Sequence, residues 1–227
     1  MIPSILFLLL RRYQKKHPEK ARLLCTRFYF VARVALLLLL TAGIALYAFS
    51  QERVLHYVVK RNGDPTGNLV IKENKAGNRI TYKLQSAVKS SFLFTISVNA
   101  IEEATYENGI LTYSHFYQKV NSKERVNTKI EASGNAYMVT NRQEVKSLNH
   151  YPITYNMVCL YTVEPLHHTR VFVDKLQQFV LIESLGAHHY KITFPDGNYN
   201  EYYYQAGICT TLKLNNTWFR AEIELKN

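Results

Sequence analysis

Downstream of Gln51 the chain alternates apolar and polar side chains with period two. Ile80, Tyr82, Leu84, Ser86 and Val88 alternate with Thr81, Lys83, Gln85, Ala87 and Lys89. Successive side chains of a strand point to opposite faces, so this stretch predicts a half-buried β-strand. Phe92, Phe94, Ile96, Val98 and Ala100 keep the alternation, and Leu111, Tyr113, His115 and Tyr117 resume it after Glu107-Asn108-Gly109. Val126, Thr128, Ile130 and Ala132 repeat it, as do Tyr190, Ile192 and Phe194, then Ile208, Thr210, Leu212 and Leu214, then Phe219, Ala221, Ile223 and Leu225.

Glycine separates these runs. Gly63, Gly67, Gly77, Gly109, Gly134, Gly186, Gly197 and Gly207 stand mostly beside Asn, Asp or Ser, the residues that accept tight turns and positive φ. Strands joined by such short turns must run antiparallel, because a parallel pair needs a crossover of about a dozen residues or more. Between Tyr151 and Tyr161 the alternation fails. Ile153, Met157 and Leu160 or Tyr161 fall at helical spacing, with Pro152 and Thr154 as start signals and Glu164-Pro165 as the stop. A long twisted sheet rarely stays flat. The predicted fold is therefore mainly β: a single antiparallel meander curved into a half-barrel or barrel, with one short helix packed on the concave face. No internal repeat period divides residues 51–227, so they read as one domain.

Residues 34–49, from Val34 to Phe49, form the strongly lipophilic run of the chain and carry no charge. At about 1.5 Å per residue they fall short of a bilayer core of roughly 30 Å. Ala48 and Ser50 occupy the small-residue positions of a signal-peptidase site, which would make Gln51 the mature N-terminus. Residues 1–50 thus read as a basic n-region followed by a signal peptide or a membrane anchor, and residues 51–227 as an exported domain. Both alternatives export the body to the periplasm, the cell surface or the medium; only the anchor keeps it on the membrane.

This division changes the meaning of the charge. The chain carries +11, but residues 1–50 hold eight basic side chains against one acidic, or +7, and residues 51–227 hold 20 against 16, or +4. The excess lies in the segment that directs export, so it does not argue for a nucleic-acid partner.

Candidate chemistry is sparse. His167-His168 and His188-His189 are adjacent pairs whose members point to opposite faces of a strand, and no metal-ligand spacing surrounds them. Glu102-Glu103, Asp174 with Glu183, and Asp196 are available carboxylates, although Pro195-Asp196-Gly197-Asn198 reads first as a turn. No nucleophile elbow, phosphate-binding loop or cofactor motif occurs, so neither an enzyme nor a cofactor is expected. Cys159 and Cys209 are either a bridge closing a 50-residue loop, with a stabilisation of about 4 kcal/mol, or two unrelated buried thiols. Fourteen of the 17 tyrosines lie in the body, chiefly as strand residues.

The string Pro152-Ile153-Thr154-Tyr155, with Leu160-Tyr161, Glu164-Pro165, Val171-Phe172, Pro195-Asp196-Gly197-Asn198 and Tyr202-Tyr203-Tyr204, resembles a domain family of unknown function found in exported proteins of Gram-negative bacteria. Tyr57-x-Val59 followed by Gly67, Leu69 and Ile71 fits the same family. The resemblance covers roughly Val54 to Leu225 and implies export and a β-rich fold, but no catalytic residue. More distantly, the layout is similar to the curved sheets of periplasmic lipoprotein carriers. The expected function is a non-enzymatic envelope protein that binds a lipid or other apolar or amphipathic ligand, with Tyr82, Phe94, Tyr113, Phe116, Tyr155 and Phe194 as candidate contacts. The alternative is a structural or protein-interaction domain with a fully packed core; an enzyme stands third.

Overall fold

The computed structural model describes residues 33–34 and 51–226, apart from 92–94, 143, 150 and 218. The lipophilic run after Val34, Ser50 at the proposed cleavage site and the candidate contact Phe94 lie outside these residues. Among the described residues no helix is long and apolar enough to cross a membrane.

The first eight strands are β1 (Gln51–Arg61), β2 (Asp64–Ala76), β3 (Arg79–Ser91), β4 (Thr95–Glu107), β5 (Ile110–Val120), β6 (Lys123–Ser133), β7 (Ala136–Asn141) and β8 (Glu144–Leu148). Six follow: β9 (Arg170–Val173), β10 (Gln178–Gly186), β11 (His189–Thr193), β12 (Tyr199–Gln205), β13 (Ile208–Asn215) and β14 (Arg220–Leu225). They form one antiparallel sheet in the order β8-β7-β6-β5-β4-β3-β2-β1-β14-β13-β12-β11-β10-β9. The sheet is two meanders joined where β1 pairs with β14, Tyr57 opposite Leu225 and Val59 opposite Ile223. It curves without closing, since β8 and β9 are its two edges. The connection from β8 to β9 has to pass from one edge to the other, and it does so across the concave face.

Three hairpins share one sequence device. Asn62-Gly63, Asn108-Gly109 and Ala206-Gly207 all hold positive φ at both residues, the turn whose twist matches antiparallel strands. Three residues after each glycine comes a threonine, Thr66, Thr112 or Thr210, that has no register partner and forms a β-bulge. Each threonine hydroxyl donates to the carbonyl seven residues back, on Val59, Thr105 and Tyr203, at 3.2 Å in every case. Beside the first bulge, Gly67 leaves room for β3: a Cβ there would stand 2.4 Å from the Ala87 carbonyl oxygen.

The bulges correct two strand phases. Beyond Thr112, β5 turns Ser114 and Phe116 inward, opposite Ala104 and Glu102 of β4. Tyr113, His115 and Tyr117 therefore point outward, against the simple alternation read from Leu111. In β13 the bulge at Thr210 turns Cys209 inward, fully buried, in place of Ile208 and Thr210; Leu212 and Leu214 hold the expected phase.

The predicted helix is a single 3₁₀ turn, Met157–Tyr161. Pro152 to Tyr155 are extended instead, because their backbone is used by the sheet: the Leu111 N–H donates to the Ile153 carbonyl and the Phe172 N–H to that of Tyr155. The helix ends at Thr162, before Glu164-Pro165.

A polar backbone crossing an apolar interior needs hydrogen-bond partners, and tyrosines supply them. Tyr204 donates to the Leu160 carbonyl (2.8 Å), and Tyr137 accepts from the Ile153 N–H (3.0 Å). Tyr57 donates to the Cys209 carbonyl (2.9 Å), with the Tyr161 carbonyl 3.4 Å away. Tyr106 donates to the Asn156 side-chain oxygen (2.8 Å). The crossing segment and its tyrosines thus fill much of the concave side, together with Ile153, Val158, Leu160 and Phe172, all fully buried.

Candidate ligand-binding site

One part of the concave side is left open. Where β4 and β5 of the first meander face β12, β13 and the loops that flank them in the second, a cavity of about 290 Å³ is lined by Phe116, Met157, Phe194, Leu214 and Phe219. Glu102 of β4 and Asp174, in the turn after β9, reach it from the interior. Asp196, Asn198, Asn200 and Asn215 form much of its polar rim, with Lys175 the basic residue of the lining.

Hydrogen bonds join the rim into a clasp. Asp196 accepts from the backbone N–H of Asn198 (3.1 Å) and from its side-chain amide (2.7 Å). The Asn198 side-chain oxygen in turn accepts from the N–H (2.8 Å) and hydroxyl (3.0 Å) of Thr217. The turn expected at Pro195-Asp196-Gly197-Asn198 therefore fastens the β11–β12 loop to the β13–β14 loop.

At the base, Asp174 is held by Ser114 Oγ (2.5 Å) and by Asn156 Nδ2 (3.0 Å). Burial pushes its carboxyl up to about 6, while these two hydrogen bonds pull the other way. Glu102 is buried as well, at 8 % exposure, yet no described residue donates to it or pairs with it as a cation. Its register neighbours are apolar, Leu84 on one side and Phe116 on the other. Burial first, and the Asp174 charge second, raise its carboxyl well above the ordinary range. Asp174, stabilised as the anion by two donors, and Glu102, holding the proton, make an acid pair at the foot of the cavity.

Of the candidate contacts, Phe116 and Phe194 meet in this cavity and the other described ones do not. Tyr82 is buried under the sheet, edge-on to Tyr106. Tyr155 stacks on His168 and donates to the Val163 carbonyl. Tyr113 is turned outward by the Thr112 bulge. The carboxylates regroup as well. Asp174 faces Glu102 and not Glu183, and Glu103 lies on the outer face paired with Lys83 at 2.7 Å. Glu102 as an interior group was within reach of the sequence: the apolar phase Val98, Ala100, Ala104, Tyr106 passes through it.

Cys159 and Cys209 are free buried thiols and not a bridge. They face different partners, Cys159 the Tyr106 hydroxyl and Asn156 side chain, Cys209 the Thr211 carbonyl. Burial pushes both thiols up to about 12, which keeps them protonated and poorly nucleophilic. The histidines scatter: His188 meets Glu164 at 3.0 Å, His189 meets Glu201 at 3.3 Å, and His115 meets Asn127. Among the described residues no group of three or more His, Cys, Asp or Glu could hold a metal ion.

This architecture, an unclosed antiparallel sheet wrapped on its own crossing segment, belongs to the barrel-like β-domains. It is similar to the crystal structure of a β-barrel-like protein of the domain of unknown function DUF1849 from Brucella abortus, with a TM-score of 0.50, 10% identity, and coverage of 78% of this chain and 95% of that one. At that identity the likeness concerns the fold. No curated protein matches the chain. The chain belongs to the family of the domain of unknown function DUF6134, whose sequence profile matches residues 57–226.

Proposed function

We propose that this chain is a non-enzymatic binding protein of the cell envelope, exported by its N-terminal segment, whose body takes a small amphipathic ligand in the cavity above Glu102. The observation that carries the reading is the cavity itself. Its wall of Phe116, Met157, Phe194, Leu214 and Phe219 is apolar, its polar groups gather at base and rim, and its volume of about 290 Å³ stands near the lower end for small-molecule pockets, roughly 300–1,000 Å³. The tyrosine-bonded crossing segment limits a ligand to this side of the interior. Protonated thiols and separated histidines support a binding role over a catalytic one.

Native mass spectrometry of the chain purified without denaturation tests this. The expected result is a bound small molecule, lost when Leu214→Trp fills the cavity. A chain that carries no ligand and takes up no apolar dye would sink the reading. A second reading, an interaction domain, draws on exposed apolar side chains of the outer surface, Leu166 at 64 % and Leu181 at 75 %. Against edge pairing, β8 is short and carries Glu144 and Lys146, which blunt it as a template.

A further inference from the structure

We propose that the ligand of this cavity is an organic cation, an amine with a compact apolar body, whose ammonium is received by Glu102 and whose body lies among Phe116, Phe194 and Leu214. The inference rests on the binding reading above and narrows it to a chemical class.

Two independent observations converge. Glu102 is a carboxyl more than nine-tenths buried, lining the cavity, with no donor and no cation among the described residues. Gln177 Oε1 is another buried atom without a partner among the described residues, but it does not line this cavity; a carboxyl without a partner at a cavity wall marks where a partner arrives. The second observation is charge. The lining holds Glu102, Asp174 and Asp196 against Lys175, acidic on balance in a body of net +4. An organic anion would meet two interior carboxyls. A neutral ligand would bring no counter-charge to this acidic lining. An ammonium with an apolar body satisfies both the carboxyl and the wall.

The groups facing Glu102 set the pH response. Asp174 and Lys175 come from the turn after β9, Asp196 from the β11–β12 turn, the Cys159 thiol and Tyr161 hydroxyl from the crossing segment, and Tyr202 from β12. The thiol and the two phenols remain neutral, raised by burial. Above about pH 6 the ionising member is thus Glu102, beside an Asp174 already charged. An arriving ammonium lets both carboxyls ionise, so Glu102 gives its proton to solvent and binding tightens as pH rises.

The test compares phenylbutylamine, phenylbutanol and phenylbutyrate on the full chain by titration calorimetry at pH 5.5 and pH 8. The amine is expected to bind at least tenfold more tightly than the alcohol at pH 8, to release a proton in buffers of differing ionisation enthalpy, and to weaken at pH 5.5. Phenylbutyrate should bind weakest. Glu102→Gln should abolish the amine's advantage over the alcohol, and retained binding of the alcohol shows the cavity intact. Equal binding of the three probes, or an amine preference that survives Glu102→Gln, overturns the cation and leaves the binding reading standing. Failure of all three probes to bind overturns both.

Discussion

Two buried carboxylates occupy the same face of the sheet and live in opposite surroundings. Glu73 of β2 is 1 % exposed and lies in register between Arg53 and Tyr82. Arg53 reaches it at 3.5 Å, Lys75 at 3.4 Å and the Thr162 hydroxyl of the crossing segment at 3.3 Å. Glu102 of β4 lies between Leu84 and Phe116 and has none of these. Glu73 ties the crossing segment to the sheet, with counter-charge from Arg53 on β1 and from Lys75 two residues along its own strand. Glu102 sits where the crossing segment leaves a cavity. One carboxylate is thus structural by its partners, and the other is available for a ligand by its lack of them.

The largest test of this contrast is to replace each carboxylate by its neutral isostere. Glu73→Gln should lower stability by about 2 kcal/mol, because it removes the charge that pairs with half-exposed Arg53 and Lys75 and places an amide donor against one of them. Chemical denaturation measures this directly. Glu102→Gln should act in the opposite direction and stabilise the protein at pH 8, since a buried carboxyl that resists ionisation is exchanged for a neutral group. If both variants destabilise to the same extent, the two sites are equivalent and the contrast fails.

A smaller effect follows from proton binding. Glu102 and Asp174 both titrate higher in the folded chain than in the unfolded one. Between the unfolded value, 3.8 for Asp174, and its folded value of about 6, the native state holds more protons. The pair therefore favours the folded state most below pH 3.8, and its contribution falls as pH rises through 6 and continues to fall as Glu102 ionises. The stabilising effect of Glu102→Gln should thus be largest at pH 8 and shrink as pH falls toward the ordinary carboxylate range, read from the difference in melting behaviour between variant and parent. A difference independent of pH would show that Glu102 is already ionised in the native chain.

The antiparallel curved sheet was legible because period-two runs and glycine turns are local signals. The long runs of β3 and β6 kept their phase throughout. β5 and β13 did not, because one unpaired residue in a bulge reverses every side chain beyond it. That reversal also carries a local mark, Gly-x-x-Thr after the turn at Gly63, Gly109 and Gly207, and reading it would have placed Phe116 and Cys209 inside. The cavity was less accessible. Glu102, Asp174 and Asn198 are brought together by the two meanders and by the crossing segment, contacts between residues far apart in sequence that no periodicity encodes. The same holds for the tyrosines. Their strand preference was evident, but their role as hydrogen-bond partners of a buried connection depends on where that connection runs.

The tyrosine contacts give the smallest and most local prediction. Tyr204 is 6 % exposed and its hydroxyl donates to the Leu160 carbonyl at 2.8 Å, inside the 3₁₀ turn that carries Met157 to the cavity wall. Tyr204→Phe retains the ring, which packs edge-on to Tyr190, and removes the donor alone. The Leu160 carbonyl then lacks this partner in an interior position, at a cost of about 1 kcal/mol. Because the turn is also fastened at Asn156 by Tyr106 and at Thr162 by Glu73, it should stay in place. Amide exchange should accelerate at the Thr162 and Val163 N–H groups, which bond to Cys159 at the end of the same turn, with no change at β6 and β7. Acceleration spread over the whole sheet would mean that the crossing segment and sheet unfold as one unit, and that the Glu73 end and the Glu102 end are not separable regions.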